Sequence, residues 1–450
     1  EGVSYQAFYQ SPAPPPVATR QSEIATEDRA TIIFTSGTTG KPKGIPYTHK
    51  QILIACRSVI TAYDDVTDAA RLVCWLPLSN LFQRMMNYCA MAVGAQTFYV
   101  AQPQEVLDNL PEIKPAVFIA VPRFYEKLYE GIHKKIQQAP PPARRIFTLA
   151  HHLRGKALQK PASNLLAQVI IRTSDRFVFN KFRRQLFGDD LKYAISGSAP
   201  MPLWLLEWYR ACGILILEAY GISENIVPVA CNTPQQYQFG TVGKALPPNR
   251  VRLAVDKEVE VSGPGVFRHY LTSGSDQKQL TEDGYLKTGD AGDIDAQGFI
   301  RLTGRKTDFF KTSTGHRIVP GPIEKLLNSC PHLDHAIVVG AGRKVPIACA
   351  TLTLQAWENA DELFLEQLRQ KIIQQLSTGV ASRQQPAAIL LLLDEFSIDG
   401  GEITANLKLR KNFVVEKYCR EIEHSYALLK DSTQQNVCRH LNSKAITLTL

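Results

Sequence analysis

Short apolar runs at Leu72 to Leu76, Ala116 to Val121, Tyr193 to Ser196 and Ile214 to Leu217 alternate with stretches of helical periodicity. Strands that read as continuous apolar runs are buried on both faces, and parallel neighbours need a helix-length crossover between them. The pattern predicts an α/β fold, a mostly parallel sheet with covering helices. After Val251 the chain turns to glycine-punctuated short strands, Val259 to Val261 and Gly298 to Leu302, with a turn-rich stretch around Gly304 and Gly315. Beyond Arg305 the spacing predicts a helix at Gly321 to Leu327, strands at Ala336 to Val339, Ala348 to Leu354 and Ala388 to Leu392, and an amphipathic helix at Glu362 to Leu376. The expected division is a large N-terminal domain over 1–305 with mixed or parallel sheets, a small α+β C-terminal domain over 306–430, and a tail over 431–450.

Composition excludes several classes. Apolar residues make up 44% of 450, and Gly 28 and Pro 27 sit near average usage, so neither a disordered nor a collagen-like chain is indicated. No run approaches the roughly 18 uninterrupted apolar residues of a spanning helix. Nine cysteines are scattered from Cys56 to Cys438 without a CxxC pair, which argues against a zinc site or disulfide framework and for a reducing, cytoplasmic setting. The stretch from Glu1 lacks the basic and apolar regions of a signal peptide. A net charge of +9 suits nucleic acid, anionic lipid or a phosphorylated small molecule, and the sign does not choose among them. Much of it lies between His133 and Arg184, where Lys134, Lys135, Arg144, Arg145, Arg154, Lys156, Lys160, Arg172, Arg176, Lys181 and Arg183 meet few acids. Two readings stay open for 133–184: a solvated helical surface, or a peripheral contact with an anionic membrane, where each basic residue is worth about 1 kcal/mol.

The densest chemistry is Thr35-Ser36-Gly37-Thr38-Thr39-Gly40-Lys41-Pro42-Lys43-Gly44, which follows the strand-like run Ala30 to Phe34. Glycines let a backbone approach phosphate, hydroxyls and amides donate to its oxygens, and lysine supplies charge. A P-loop fails twice here, because Pro42 stands where Ser or Thr must follow the Gly-Lys pair and Thr35 stands where the first Gly belongs.

That loop resembles the phosphate-binding signature of the adenylate-forming superfamily, which includes acyl-CoA synthetases, acyl-AMP ligases, peptide-synthetase adenylation domains and luciferases. Further segments match in order: Gly197-Ser198-Ala199-Pro200, Tyr220-Gly221-Ile222-Ser223-Glu224, Tyr285-Leu286-Lys287-Thr288-Gly289-Asp290, Gly304-Arg305-Lys306-Thr307-Asp308 and a late Lys408. The resemblance implies that Gly197 to Pro200 turn against adenine and that Tyr220 offers the purine an aromatic face. It implies Glu224 as the Mg²⁺ ligand, Asp290 as acceptor of both ribose hydroxyls with Arg305 beside it, and Thr307-Asp308 as the hinge of a mobile C-terminal domain. Lys408 would bridge the substrate carboxylate and α-phosphate, and Gly315 would line the CoA channel. Structural alternatives remain for several of these: a buried turn for Gly197 to Pro200, a core Tyr220, a salt bridge for Asp290 and Arg305, a solvated Lys408.

Lys114 to Leu128, Leu76 to Arg84 and Leu407 before Lys408 are similar to the long-chain fatty acyl-CoA synthetase branch. The partners so implied are small molecules, a fatty acid, ATP and CoA, with Mg²⁺ and no nucleic acid. Three departures stand out. Asn80 replaces a usual His near the substrate carboxylate, Thr307 replaces a usual charge at the hinge, and the domain-sized stretch that relatives carry before the phosphate loop is missing, so the N-terminal domain is expected to be incomplete. Alternatives from other classes are an acyl-AMP ligase that loads a carrier protein and an inactive nucleotide- or lipid-binding module.

Overall fold

The computed structural model describes residues 24–35, 43–160, 163–271, 279–353, 356, 360–404, 409–430, 439–441 and 445–450. Strands β1 (Arg29–Thr35) and β2 (Lys43–Thr48) form an antiparallel hairpin in which Thr35 faces Lys43. Thr48 then starts α1 (His49–Ala62) with a capping box: its hydroxyl accepts from the Gln51 amide while the Gln51 side chain accepts from the Thr48 amide. Strand β3 (Arg71–Cys74) leads through α2 (Leu81–Val93) to its parallel neighbour β4 (Gln96–Tyr99). Gly94, at φ 76°, lets the chain leave α2 in the left-handed conformation.

Helix α3 (Val106–Ile113) precedes β5 (Val117–Ala120), and α4 (Pro122–Gln138) follows it. The basic segment is mostly helical, running from the end of α4 through α5 (Pro141–Leu158), α6 (Leu165–Ser174), a π turn over Asp175–Phe179 and α7 (Asn180–Phe187), with short non-helical links before α5 and α6. Pro140 caps α5 and Pro141 opens it, so the run Pro140-Pro141-Pro142 starts a helix, because a first-turn proline sacrifices no intrahelical bond. Strand β6 (Tyr193–Ser196), helix α8 (Leu203–Ala211) and strand β7 (Ile216–Ile222) follow. β5, β6 and β7 are parallel neighbours, and the sheet closes with antiparallel β8 (Asn225–Cys231) and β9 (Lys244–Ala245). Every residue of β5 and β6 is buried, which explains their unbroken apolar sequence.

An antiparallel sheet runs β10 (Arg250–Leu253), β11 (Glu258–Ser262), β12 (Leu286–Ile294) and β13 (Ile300–Arg305) in spatial order. One core unites these layers from Ile33 to Ile300. After a 3₁₀ turn at Lys306–Asp308 come the hairpin β14 (Phe310–Lys311) and β15 (Arg317–Ile318), helix α9 (Pro320–Leu327), β16 (Leu333–Val339) and β17 (Ile347–Leu352). Helix α10 (Glu362–Gly379), β18 (Ala388–Leu392), α11 (Lys411–Lys417), α12 (Cys419–Lys430), β19 (Arg439–Leu441) and β20 (Ala445–Thr449) complete the chain. This second unit has separate apolar layers on the two faces of its sheet.

The sequence reading of 431–450 as a tail is corrected in part: β20 pairs along β18, between β18 and β19. Ala445 to Leu448 are buried and Thr447 meets Ser425 at 2.9 Å, so these residues belong to the small domain's sheet. No described helix is long and apolar enough to cross a membrane.

Candidate active site

The β1–β2 pairing fixes the two ends of the candidate phosphate loop, Thr35 and Lys43, opposite each other. Ser36, Gly37, Thr38, Thr39 and Gly40 lie outside the described residues, as does Lys408. Lys43 Nζ sits 4.9 Å from the centre of the Tyr270 ring, and the Tyr270 hydroxyl is 2.9 Å from Glu224 Oε1. The turn that carries Glu224 is braced on both sides: the Phe267 amide donates to the Glu224 carbonyl at 2.8 Å, and the buried Tyr47 hydroxyl donates to the Ser223 carbonyl at 2.6 Å. Burial, with the Glu224 carboxylate nearby, pushes Tyr47 well above its usual range and keeps that hydroxyl a donor. The structure thus brings Lys43 and Glu224 together through Tyr270.

Three residues before Ser223, Tyr220 belongs to the same strand-and-turn segment. Its hydroxyl donates to Asp290 Oδ2 at 2.5 Å, and Arg305 Nε meets Asp290 Oδ1 at 2.8 Å. Asp290 and Arg305 are register partners across β12 and β13, so ladder geometry alone sets them side by side. The Asp290 side chain is 9% exposed and that of Arg305 54%, which places the carboxylate behind a partly wet guanidinium. Burial, then the Asp290 charge, raises the Tyr220 phenol well above its usual range. Each carboxylate oxygen has a second lone pair, so Asp290 can accept further hydroxyl groups.

Gly197 ends β6 where a side chain would be crowded: a Cβ there would lie 3.2 Å from Phe82. Ser198 takes the left-handed φ of 73°, turning Ala199 and Pro200 outward, where both are exposed. Gly221 is exposed near the end of β7, where the register with β8 slips between Tyr220 and Ile222. Asn80 caps α2, its Oδ1 accepting from the Phe82 amide at 3.0 Å. Gly315 stands apart, at the tip of the β14–β15 hairpin with φ 83°, where a Cβ would meet nothing within 4 Å. Thr307 and Asp308 lie in the 3₁₀ turn, and Asp308 pairs with Lys411 at 2.9 Å.

Sequence reasoning missed Tyr47, Tyr270, Glu218 and Gln83. Gln83 is buried, and its Oε1 accepts from the Trp75 and Leu76 amides at 3.3 Å, securing the end of β3. Glu218 on β7 accepts from the Met201 amide at 3.0 Å and is pushed above the usual carboxylate range by burial. A lone charge at the end of the apolar run Ile214 to Leu217 could have marked Glu218; no local signal marked Gln83 or Tyr270.

Fold and constellation define an AMP-binding enzyme. Residues 3–271 match the AMP-binding enzyme family and 307–430 match the AMP-binding enzyme C-terminal domain, and the chain belongs to this family. Among its relatives is the long-chain-fatty-acid–CoA ligase FadD15 of Mycobacterium tuberculosis, 29% identical over 434 residues that cover 92% of this chain and 72% of that protein. Human long-chain-fatty-acid–CoA ligase ACSBG2 is 28% identical over 88% of this chain and 66% of its own length. The fold matches the adenylation domain of a carboxylate reductase from Mycobacterium chelonae, with a TM-score of 0.69, 17% identity, and coverage of 89% of this chain and 60% of that one. ATP-bound MatB from Rhodopseudomonas palustris gives 0.63 at 22% identity, over 88% and 69% of the two chains.

Proposed function

We propose that the protein activates a long- or medium-chain fatty acid with ATP and passes the acyl group to CoA. In the first step a carboxylate oxygen attacks the α-phosphorus, a mixed acyl-phosphate anhydride bond forms, and the bond to pyrophosphate breaks. In the second, the CoA thiolate attacks the acyl carbon, a thioester forms, and AMP leaves with the bridging oxygen. The observation that carries this reading is that one strand and the turn after it present Tyr220 to Asp290 and Glu224 to Tyr270, over whose ring Lys43 sits.

Asp290 accepts the ribose hydroxyls while Arg305 holds its other lone pairs in place. Gly197, Ser198, Ala199 and Pro200 border the adenine with Tyr220, and Gly221 and Ser223 shape the turn. Thr35 to Gly40 with Lys43 cradle the phosphates, and Lys408 offsets charge that builds on the α-phosphate. Glu224 fits Mg²⁺, a hard cation that takes one or two carboxylates and completes its shell with phosphate and water; when bound it supplies neutralising charge. Asn80 lies near the substrate carboxylate, Gly315 lines the CoA path, and the domains 1–305 and 306–430 turn about Thr307 and Asp308. Carboxylate-dependent exchange of labelled pyrophosphate into ATP, run with fatty acids of graded length, tests the first step. CoA added to the same mixture separates thioester formation from loading of a carrier protein.

We also propose that 133–184 rests on an anionic membrane. Ile146, Leu149 and Leu153 form an exposed stripe on α5, and Leu166 and Val169 on α6 continue to Phe177, which is 75% exposed. Arg145, Lys156, Arg172 and Arg176 flank these stripes, the arrangement of an interfacial helix pair. Sedimentation with phosphatidylserine vesicles should exceed that with phosphatidylcholine vesicles at least fivefold and fall for Leu149→Ser; equal sedimentation, or concentration-dependent dimerisation abolished by the same change, overturns it.

A further inference from the structure

Arg123 opens α4 just beyond the C-terminal end of β5, the sheet edge at which Gly197 also ends β6. Its neighbours leave it little freedom: Phe124 packs 5.0 Å from Trp75 and 5.1 Å from Phe118, and Tyr125 is fully buried. The guanidinium pairs with Asp334, and Glu126 of the same helix lies 3.3 Å away. Asp334 belongs to the small domain. It sits in β16 where the pairing register with β17 slips between Leu333 and Ala336, an irregularity of the kind that re-aims side chains out of a ladder.

The contact is desolvated on both sides, with the Asp334 side chain 4% exposed and that of Arg123 13%. Burial alone would depress Arg123, and the facing carboxylates of Asp334, Glu126 and Glu130 reverse this and raise it. His335, next along the bulge, stacks on Phe396 and also faces α4, whose Arg123 and Lys127 charges reach it. Burial raises Glu218 of β7 above the usual carboxylate range, and the Met201 amide and the more distant charge of Lys325 on α9 offset part of that push.

A buried ion pair adds little net stability, because desolvation cancels most of the attraction, but it penalises any arrangement that leaves one member uncompensated. Such a contact suits a choice between orientations. In the two-step reading the Gly315 hairpin reaches the thiol substrate; here a Cβ at its tip would meet nothing within 4 Å, and a turn of the small domain about Thr307 and Asp308 that brought it in would carry Asp334 away from Arg123. We propose that the Arg123–Asp334 pair is an orientation clamp that holds the small domain over the ends of β5 to β7 for acyl-AMP formation and opens for thiolysis. The proposal rests on the two-step reading of the reaction, in which Arg123 and Asp334 are positioning residues that touch no substrate.

The test uses the full chain with Asp334→Asn, Arg123→Gln and both together. Three quantities are read: pyrophosphate exchange, thiolysis of supplied acyl-AMP by CoA, and tryptic cleavage at the hinge lysines Lys306 and Lys311. Each single change should slow exchange about tenfold, leave thiolysis unchanged or faster, and speed hinge cleavage severalfold; the double variant should be no worse than the weaker single, as shared interactions are non-additive. Equal loss of both half-reactions with a lower Tm, or additive losses, overturns the clamp in favour of a purely structural pair. If the unaltered chain shows neither half-reaction, the two-step reading fails. Hinge cleavage then still decides the clamp, and a rate unchanged by Asp334→Asn rejects it.

Discussion

Asp290 and Asp334 are both buried carboxylates paired with an arginine, and they differ in what holds the partner. Arg305 stands opposite Asp290 in the β12–β13 ladder, so the two stay together as long as the sheet exists. Arg123 reaches Asp334 from another domain, and a rotation that breaks no strand or helix can separate them. The same chemistry thus serves as a fixed fixture where register enforces it and as a releasable contact where only packing does.

The sharpest way to break this contrast is Asp290→Asn. It should lower kcat/KM for ATP by about 10²- to 10³-fold, the scale of losing a charged partner in a desolvated contact, while leaving hinge cleavage unaltered. Steady-state exchange kinetics check it, and a loss below twofold would reduce Asp290 to a scaffold residue. Glu224→Gln should cost about 10²-fold in exchange and be partly restored by raising Mg²⁺; a loss indifferent to Mg²⁺ removes the metal role. The clamp variants, at about tenfold, come next, and they should alter the half-reactions unequally where Asp290→Asn does not.

The clamp also has a pH signature. Burial holds His335 down to about 4, with Arg123 and Lys127 adding to the depression and Asp334 opposing it. The folded protein therefore binds fewer protons here than the unfolded chain, so stability is intact above the unfolded value near 6.5 and declines as pH falls toward 4, by up to about 1.4 kcal/mol per pH unit. Denaturant unfolding between pH 7 and 4 measures it, and His335→Gln should flatten the slope; an unchanged slope would assign the acid sensitivity to other groups. The smallest effect expected is that of Tyr270→Phe, which removes one hydrogen bond to Glu224, about 1 kcal/mol or roughly a fivefold rise in KM for ATP.

Sequence exposed the fixed half of this comparison and concealed the other. The segments around Tyr220, Asp290 and Arg305 are local patterns, and β5, β6, β16 and β18 announce themselves as apolar runs bounded by turns. Arg123 and Asp334 are 211 positions apart, and nothing near either names the other, because a domain interface is decided by three-dimensional packing. Tyr270 escaped for the same reason: it meets Glu224 from 46 positions away. The final strand was missed because its alternating Ala445-Ile446-Thr447-Leu448-Thr449 pattern follows polar chain and finds its partner β18 more than fifty residues back.

That strand has a consequence for how the chain emerges during synthesis. β18 is complete at Leu392, but the neighbour that covers its edge begins only at Ala445. At roughly 10 residues per second, about five seconds of translation pass with a fully apolar strand exposing an unpaired edge. The ribosome therefore releases a half-built sheet before it releases a finished one, and that interval, more than any weakness of the completed fold, is when this chain is most open to pairing with a neighbour.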